Sequence, residues 1–220
     1  YGCGLDGVDS SEVFLELTKE GVTVGASWED HGQGADMGLL GTAHEALRPL
    51  GLKPEQIKLV MNDTAITPNS GPSGGSRQQV VTGNAIKNGA EALLAAMKKK
   101  SGKYRTYDEM VKAKLPLRYT GKWAASMNAN CDLQTSQGKT FAVYMYGVFM
   151  AEVAVEVKTG KVTVEGMTLV ADVGKINNRL VVDGQIYGGI AQGIGLALKE
   201  DFEDLKKDVN IKACGIPYAN

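Results

Sequence analysis

Two Gly-Gln pairs are the residues of this sequence best suited to binding a ligand. Gln33 lies in Gly32-Gln33-Gly34, and Gln185 follows Gly184. A glutamine in the first turn of a helix offers a donor and an acceptor beside backbone N–H groups that favour an anion. Either glutamine alone is better explained as a capping or loop-stapling residue. Because each pair comes between a hairpin pattern and a helical pattern, their repetition favours one ligand site shared by two related units.

A loop rich in glycine and serine precedes the second predicted helix. It combines flexible glycine, hydroxyl groups and an arginine at a helix start, which suits phosphate or pyrophosphate. It lacks the Gly-Lys-Ser/Thr of a Walker motif and the G-x-G-x-x-G order of a Rossmann turn. An ordinary turn-rich surface loop would have a similar composition. The candidate ligand-binding residues of this loop are Ser73, Gly74, Gly75, Ser76, Arg77 and Gln78.

No combination of residues predicts a catalytic triad. His31 adjoins Glu29 and Asp30, which is compatible with a base or a metal ligand, although exposed loop histidines are commoner. His44 lies on the apolar face of a predicted helix and is expected to be a hydrogen-bonded core residue. The sequence therefore yields no catalytic residue and no set of metal ligands.

Hydrophobic periodicity predicts the elements that position these residues. In the first half they are a hairpin over 12–25, a helix over 34–47, a strand over 57–61, a loop over 63–76 and a helix over 78–97. The second half repeats this layout with a hairpin over 152–173 and a helix over 184–199. We therefore predict an α+β fold with two related subdomains of mixed sheet and helix. The predicted divisions are a first subdomain over 1–100, a variable connection over 101–140 with a short helix at 107–114, and a second subdomain over 141–220.

The last predicted helix is locally unfavourable, because the twelve residues from Gly184 to Gly195 include five glycines. Each glycine inside a helix costs about 0.5–1 kcal/mol relative to alanine. Close approach of another backbone or of a ligand is the usual compensation. Packing through a small-residue face is the favoured explanation for Gly188 and Gly195. Gly184, expected at the helix N-terminus, suits an anion instead.

Composition excludes several classes of function. The 220 residues carry 24 basic and 25 acidic side chains, so the chain has no general electrostatic reason to bind nucleic acid or an acidic membrane. Its apolar runs are shorter than the roughly 18 residues of a membrane span. The start at Tyr1 resembles no signal peptide, which predicts a processed product or a piece of a longer protein. The separated Cys3, Cys131 and Cys214 predict free thiols in a reducing compartment, hence a cytoplasmic protein, with periplasmic export of a full-length form left open.

Several ordered blocks of the sequence resemble the molybdenum hydroxylases, the family of xanthine dehydrogenases and aldehyde oxidoreductases. The resemblance is nearest to the molybdenum-binding domain of the bacterial aldehyde oxidoreductases. It covers nearly the whole chain, apart from 101–140 and the last dozen residues. The blocks that carry it are Gly32-Gln33-Gly34, Ser73 to Arg77, Thr82-Gly83, Ala171 to Gly174, and Asp183 to Gly195.

This resemblance implies an α+β fold that buries a molybdopterin cofactor between two subdomains. Gln33, the segment Ser73 to Gln78, and Gln185 would contact that cofactor, which in bacteria is usually the cytosine dinucleotide form. The implied reaction oxidises aldehydes, or related N-heterocycles, to carboxylic acids with water as the oxygen source. Electrons would leave through two [2Fe–2S] clusters. The implied partners are a small aldehyde substrate and the remaining segments or subunits of the enzyme, with a homodimer left open.

Parts of the family pattern lie outside these residues. The general-base glutamate is expected beyond Asn220, and the cysteine ligands of both clusters are absent from the chain. Asn178 replaces the usual proline, a change expected to affect only loop stiffness. The chain alone is therefore expected to be an inactive fragment. The alternatives are a non-redox module that binds nucleotide or phosphate, and an inactive paralogue that keeps the fold.

Overall fold

The molecule divides into two compact units, Tyr1–Tyr144 (unit 1) and Met145–Asn220 (unit 2). The computed structural model describes residues 9–125, 131–132, 134–138, 141 and 143–216. Helices and strands are both present, so the predicted α+β class is confirmed. The divisions at 100/101 and 140/141 stay a prediction.

A four-stranded mixed sheet forms the centre of unit 1. Its strands are β1 (Ser10–Leu17), β2 (Val22–Ala26), β3 (Ile57–Met61) and β4 (Arg118–Ala124), in the order β3-β2-β1-β4. β1 runs antiparallel to both β2 and β4, whereas β2 and β3 are parallel. Two neighbouring strands therefore end at the same edge of the sheet, and the loops that follow them start side by side.

Helices pack against one face of this sheet. They are α1 (Ala35–Ala46), α2 (Gln78–Met97) and the short α3 (Tyr107–Lys112), with two 3-10 turns at Arg48–Leu50 and Pro54–Gln56. The alternation predicted over β1 places Val13 and Leu15 on the helix side, where both are fully buried. α2 contributes Ile86 and Leu93 to the same core, and its bounds are those predicted.

The opposite face of the sheet is closed by polar and aromatic side chains. The ring of Phe14 covers Gly25 on the neighbouring strand, and the guanidinium of Arg118 lies 4.1 Å from the centre of that ring. Arg118 also pairs with Glu16, at 2.6 Å. The residues of the buried hydrophobic cluster all belong to unit 1.

β4 lies within the stretch that the sequence predicts as a variable connection. It pairs with β1 over its whole length. Gly121 of β4 faces Gly89 of α2 so closely that a Cβ on Gly121 would overlap the Ala85 carbonyl oxygen. The stretch also contains the short antiparallel pair β5 (Cys131–Asp132) and β6 (Gln137–Gly138).

Unit 2 consists of an antiparallel hairpin and a long helix. The strands are β7 (Tyr146–Val155) and β8 (Val162–Asp172), joined by the predicted turn and interrupted by a bulge at Glu152/Val153. α4 (Arg179–Leu198) follows after a loop. Hairpin, loop and helix therefore occur in the same order in both units, although the described strands of unit 2 are antiparallel only.

α4 begins five residues earlier than predicted. The side chain of Asn178 is its N-cap and accepts a hydrogen bond from the Val181 N–H at 3.2 Å. Gly184 and Gln185 therefore lie in the second turn and not at the N-terminus, so the expectation that Gly184 places an anion at a helix end is wrong. Asn178 thus provides a cap that a proline side chain could not, which is more than the effect on loop stiffness expected from the sequence.

Within the described ranges, no helix combines the length and the apolar character needed to cross a membrane. Cys214 is a free thiol, as expected. The predictions for Cys3 and for the side chain of Cys131 lie outside the described residues.

Candidate functional site

Two loops of unit 1 meet beyond the ends of β2 and β3. The first, the 27–34 loop, connects β2 to α1, and the second, the 67–77 loop, leads into α2. Eleven residues are predicted to bind a ligand, and nine of them lie here. Gly32, Gln33 and Gly34 are in the first loop, and Ser73 to Gln78 are in the second loop and the first position of α2. The parallel pairing of β2 with β3 explains why both loops lie at one edge.

Ser73 and Glu29 join the two loops. The Glu29 N–H donates to Ser73 Oγ at 3.0 Å, and the Ser73 hydroxyl donates to the Glu29 carbonyl at 3.1 Å. The Ser73 N–H donates to the Glu29 carboxylate at 3.2 Å. Three hydrogen bonds between one pair of residues fix the two loops to each other.

A second connection lies deeper, at the buried Ser70. Its hydroxyl donates to the Glu12 carbonyl at 2.8 Å and accepts from the Ser27 N–H at 3.0 Å. Ser27 Oγ in turn donates to the Pro68 carbonyl at 2.7 Å. Trp28 is buried next to it, and its indole Nε1 has no hydrogen-bond partner among the described residues. The start of each loop is therefore tied to the sheet.

Asp30 occupies the N-terminus of α1. Its carboxylate accepts from the N–H groups of Asp36, Gly32 and Gly34 at 3.0, 2.8 and 3.2 Å. The Asp36 N–H, followed by that of Gly32, lowers the pKa of the Asp30 carboxyl. Burial, and then the charge of Asp30, raises the pKa of the Asp36 carboxyl. The anion at this helix end is thus a side chain of the protein itself.

Gln33 uses both ends of its amide within the 27–34 loop. Its Oε1 accepts from the His31 N–H, and its Nε2 donates to the Glu29 carbonyl at 3.1 Å. This arrangement is the loop-stapling role that the sequence left as an alternative. Contact between Gln33 and a ligand stays a prediction.

Arg77 is buried beneath the 67–77 loop, and each of its five N–H groups has an acceptor. Nε and Nη2 contact Asp9 Oδ1 at 2.7 and 2.6 Å, and Nη2 also donates to the Ser10 carbonyl at 2.8 Å. Nη1 donates to the carbonyls of Ser70 and Pro72, both at 2.9 Å. The predicted contact of this arginine with phosphate would need one of these bonds to open.

Gln78 is also buried and links the loop to α2 and β1. Its Nε2 donates to Ser73 Oγ at 2.8 Å, and its Oε1 accepts from the Thr82 hydroxyl at 2.6 Å. Thr82 Oγ1 lies 2.9 Å from Ser11 Oγ. The sequence gives no indication of Asp9, Ser11 and Ser70, because their roles depend on partners tens of residues away. Glu29 and Thr82 are indicated only as a neighbour of His31 and as part of a family block.

Gly74, Gly75 and Ser76 form the exposed turn between these fixed points (the 74–76 turn). A Cβ added to either glycine would meet nothing within 4 Å. Gly75 and Ser76 both have φ of 59°, in the left-handed region. Within the described part of the chain, none of the three backbone N–H groups donates a hydrogen bond. The turn therefore presents three free donors at the start of α2.

The histidines do not complete a reactive centre. His31 is exposed, and its Nε2 lies 3.8 Å from the Glu29 carboxylate. His44 is half-buried and contacts the Leu52 carbonyl through Nε2 at 3.0 Å, in line with the predicted structural role. Across the residues that the structure covers, no group of three or more His, Cys, Asp and Glu side chains could hold a metal ion.

The remaining predicted residues lie on α4 of unit 2. Gly184 and Gln185 are exposed, and Asp183 pairs with Arg179 at 2.8 Å, which raises the pKa of that arginine. One side of α4 and the hairpin enclose an apolar groove of about 240 Å³. It is lined by side chains such as Phe149, Met167 and Ile194 and by Gly189 and Gly193.

Unit 1 is a domain suited to binding an anionic ligand. At one edge of its mixed sheet two loops are joined by hydrogen bonds, and the 74–76 turn of the second loop presents backbone N–H groups. The chain belongs to the family of molybdopterin cofactor-binding domains, whose model matches residues 1–220. The resemblance to the molybdenum hydroxylases is thereby confirmed.

The relatives include aldehyde and xanthine oxidising enzymes. The chain is 61% identical over 219 residues to an aldehyde oxidoreductase of Megalodesulfovibrio gigas, covering 99% of this chain and 24% of that protein. A xanthine dehydrogenase/oxidase of Gallus gallus is 28% identical over 162 residues, covering 71% of this chain and 12% of the relative. The crystal structure of the aldehyde oxidoreductase from Desulfovibrio desulfuricans matches with a TM-score of 0.90 and 63% identity, over 99% of this chain and 24% of that one. The chain thus spans about a quarter of the aldehyde oxidoreductases that it matches.

Proposed function

We propose that this chain is the cofactor-binding part of a molybdenum-dependent aldehyde oxidoreductase, and that the 74–76 turn binds a phosphate of the cofactor. The observation that carries the proposal is the turn itself, with three N–H donors free among the described residues and open space above its two glycines. The likeness to an aldehyde oxidoreductase over 99% of the chain supports the activity.

The residues of the turn fit an anionic group. Backbone N–H groups at a helix start bind phosphate through hydrogen bonds and the helix dipole. The Glu29 carboxylate, bonded to Ser73, repels an anion at that end of the loop and directs it towards Ser76. The cofactor, when bound, supplies the redox centre that oxidises the aldehyde. This chain's own residues bind it and hold it in place.

We assign the cytosine dinucleotide form of the cofactor, in line with the bacterial aldehyde oxidoreductases that the sequence resembles. This form carries a pyrophosphate, which needs several donors in a row, as in the 74–76 turn. Gln33 with Gly32 and Gly34, and Gln185 with Gly184, are further candidate contacts. Gln185 is exposed on α4, so its amide is open to a ligand.

The iron–sulfur clusters and the general base belong to other parts of the enzyme. Each [2Fe–2S] cluster takes four cysteine ligands, so two clusters need eight. The chain has three cysteines. We therefore place both clusters, the catalytic glutamate and the binding site of the electron acceptor on other segments or subunits.

Metal and nucleotide analysis of the complete native protein tests the function. We expect molybdenum and, after acid treatment, a cytidine nucleotide, each close to one per chain. A complete protein with neither would overturn the proposal. Molybdenum with a guanosine nucleotide would overturn only the assigned cofactor form.

A charge introduced at Ser76 tests the site. Asp and Asn both tolerate a left-handed backbone, so Ser76→Asp and Ser76→Asn differ mainly by one negative charge. At about 4 Å a like charge costs on the order of 1–4 kcal/mol near a protein surface. We expect Ser76→Asp to lower molybdenum and nucleotide content about tenfold or more, with Ser76→Asn near the wild type. Equal contents in the two variants would exclude an anion at the turn.

A further inference from the structure

The buried Arg77 holds the backbone of the 67–77 loop. Its side chain is 6% exposed and that of Asp9 is 11% exposed, so the ion pair between them is shielded from water. The same guanidinium donates to the carbonyls of Ser70, Pro72 and Ser10. Planar guanidinium groups suit such multiple, directional contacts, which an ammonium group cannot reproduce.

Gly71 shows how tightly the loop wraps around this group. Its φ is 75°, and a Cβ at this position would lie 2.7 Å from Arg77 Nη2. The residue that follows Pro72, Ser73, is bonded to Glu29 and Gln78. The 74–76 turn is therefore held at one end by Ser73 and at the other by Arg77.

We infer that Arg77 is a positioning residue, which sets the conformation of the 74–76 turn and does not itself bind the cofactor phosphate. This inference rests on the proposed function of the turn. The charge of Arg77 is balanced by Asp9, and all five of its N–H groups already have acceptors. Arg77 contributes to the site by fixing the backbone conformation of the 74–76 turn, which carries the free N–H groups.

The charge of Asp9 separates this role from direct phosphate binding. Asp9→Asn keeps the shape of the side chain and leaves the buried guanidinium uncompensated. If Arg77 acted through its charge, the positive potential at the turn would rise and the cofactor would be held more tightly. If Arg77 positions the turn, loss of the buried pair loosens the loop, and the cofactor is held less tightly.

The test uses the complete protein with Asp9→Asn, Arg77→Lys and Gly71→Ala. Gly71→Ala changes no charge; its Cβ would displace the guanidinium, and the alanine would also strain the left-handed backbone at this position. We expect all three to lower molybdenum and cytidine content by about tenfold or more. Arg118→Lys is the matched control, because it alters an arginine ion pair on the opposite face of the sheet, and we expect its content to equal the wild type.

A second measurement does not depend on the cofactor. In protein prepared without the cofactor, limited proteolysis should cut within 70–76 about tenfold faster in Asp9→Asn and Arg77→Lys than in the wild type and Arg118→Lys. Higher or unchanged cofactor content in Asp9→Asn would overturn the positioning role, as would unchanged cleavage in the cofactor-free Arg77→Lys variant. A wild type without molybdenum and nucleotide would instead contradict the proposed function, while the cleavage rates would still decide the role of Arg77.

Discussion

The two units differ in how much of their apolar surface they bury. In unit 1 the side chains facing α1 and α2 form a continuous core that includes Val13, Leu39 and Leu93, each fully buried. In unit 2, the described part has only Gly195 buried, whereas Val148 is 71% exposed, Val170 69% and Leu180 82%. Apolar surface of this extent is typical of a place where another segment packs. The described side chains of the unit 2 hairpin and helix thus remain largely exposed.

The glycines show the same difference. Gly89 and Gly121 of unit 1 lie where α2 and β4 touch backbone to backbone. Gly184, Gly188, Gly189 and Gly193 of unit 2 would each carry a Cβ into open space. The high glycine content of the sequence therefore includes two kinds of position, one with close backbone contact and one facing open space. Substitution of the glycines named in this paragraph by alanine should have opposite consequences in the two units.

Gly121→Ala should have the largest effect. The new Cβ would overlap the Ala85 carbonyl oxygen and lie 2.6 Å from Gly89 N, and both are backbone atoms that cannot rotate away. We expect unit 1 to lose about 3 kcal/mol or more of unfolding free energy. Thermal unfolding followed by circular dichroism measures this loss. Gly83→Ala on α2 is the control, because its Cβ would have its nearest neighbour at 3.5 Å; equal melting temperatures for the two variants would contradict the close approach.

Ser70→Ala should have the next largest effect. It removes the hydroxyl that accepts from the Ser27 N–H and donates to the Glu12 carbonyl in a fully buried position. A buried group that loses its partner costs about 1–3 kcal/mol. Chemical denaturation of the variant beside the exposed Ser101→Ala measures the difference. Indistinguishable midpoints would show that the two loops are not tied together through Ser70.

Elements whose signals are local are predictable from the sequence. The periodicity of α2 and the alternation of β1 are properties of adjacent residues, so their places were predicted correctly. The strand β4 was missed because its polar alternation and Gly121 make sense only against Gly89, which is 32 positions earlier in the sequence. The start of α4 was predictable from Asn178 followed by apolar residues, but the glycines further on obscured it.

The candidate site divides in the same way. The composition of the 74–76 turn is enough to predict a loop before a helix, since glycine and serine favour turns. The partners of Arg77 could not be predicted, because Asp9 lies 68 residues away and no local pattern connects them. An arginine at a helix start looks the same in the sequence whether it faces a ligand or the protein interior. Burial alone distinguishes the two cases.

The pH dependence of unit 1 should change in Asp30→Asn. Backbone N–H groups lower the pKa of this carboxyl in the folded state, so its stabilising contribution is present above the unfolded value of about 3.9. That contribution is lost as the pH falls through the folded value. We therefore expect the melting temperature of Asp30→Asn to be lower than the wild type at pH 7, with the difference shrinking below about pH 4. A difference in melting temperature between Asp30→Asn and the wild type that stays constant with pH would contradict the capping role.

Gly188→Ala should have the smallest effect, and with the opposite sign to Gly121→Ala. A Cβ at position 188 meets nothing within 4 Å, so only helix propensity changes, in favour of alanine by about 0.5–1 kcal/mol. In the 220-residue chain we expect α4 to exchange its amide hydrogens more slowly, measured by hydrogen exchange and mass spectrometry. In the complete protein, the same substitution should lower the melting temperature if a further segment packs on this face of α4, because that segment would then meet the added methyl group. A stabilising effect in both the 220-residue chain and the complete protein would show that no further segment packs on the glycine face of α4. The difference between the packed glycines of unit 1 and the open glycines of unit 2 would then hold in the complete protein too.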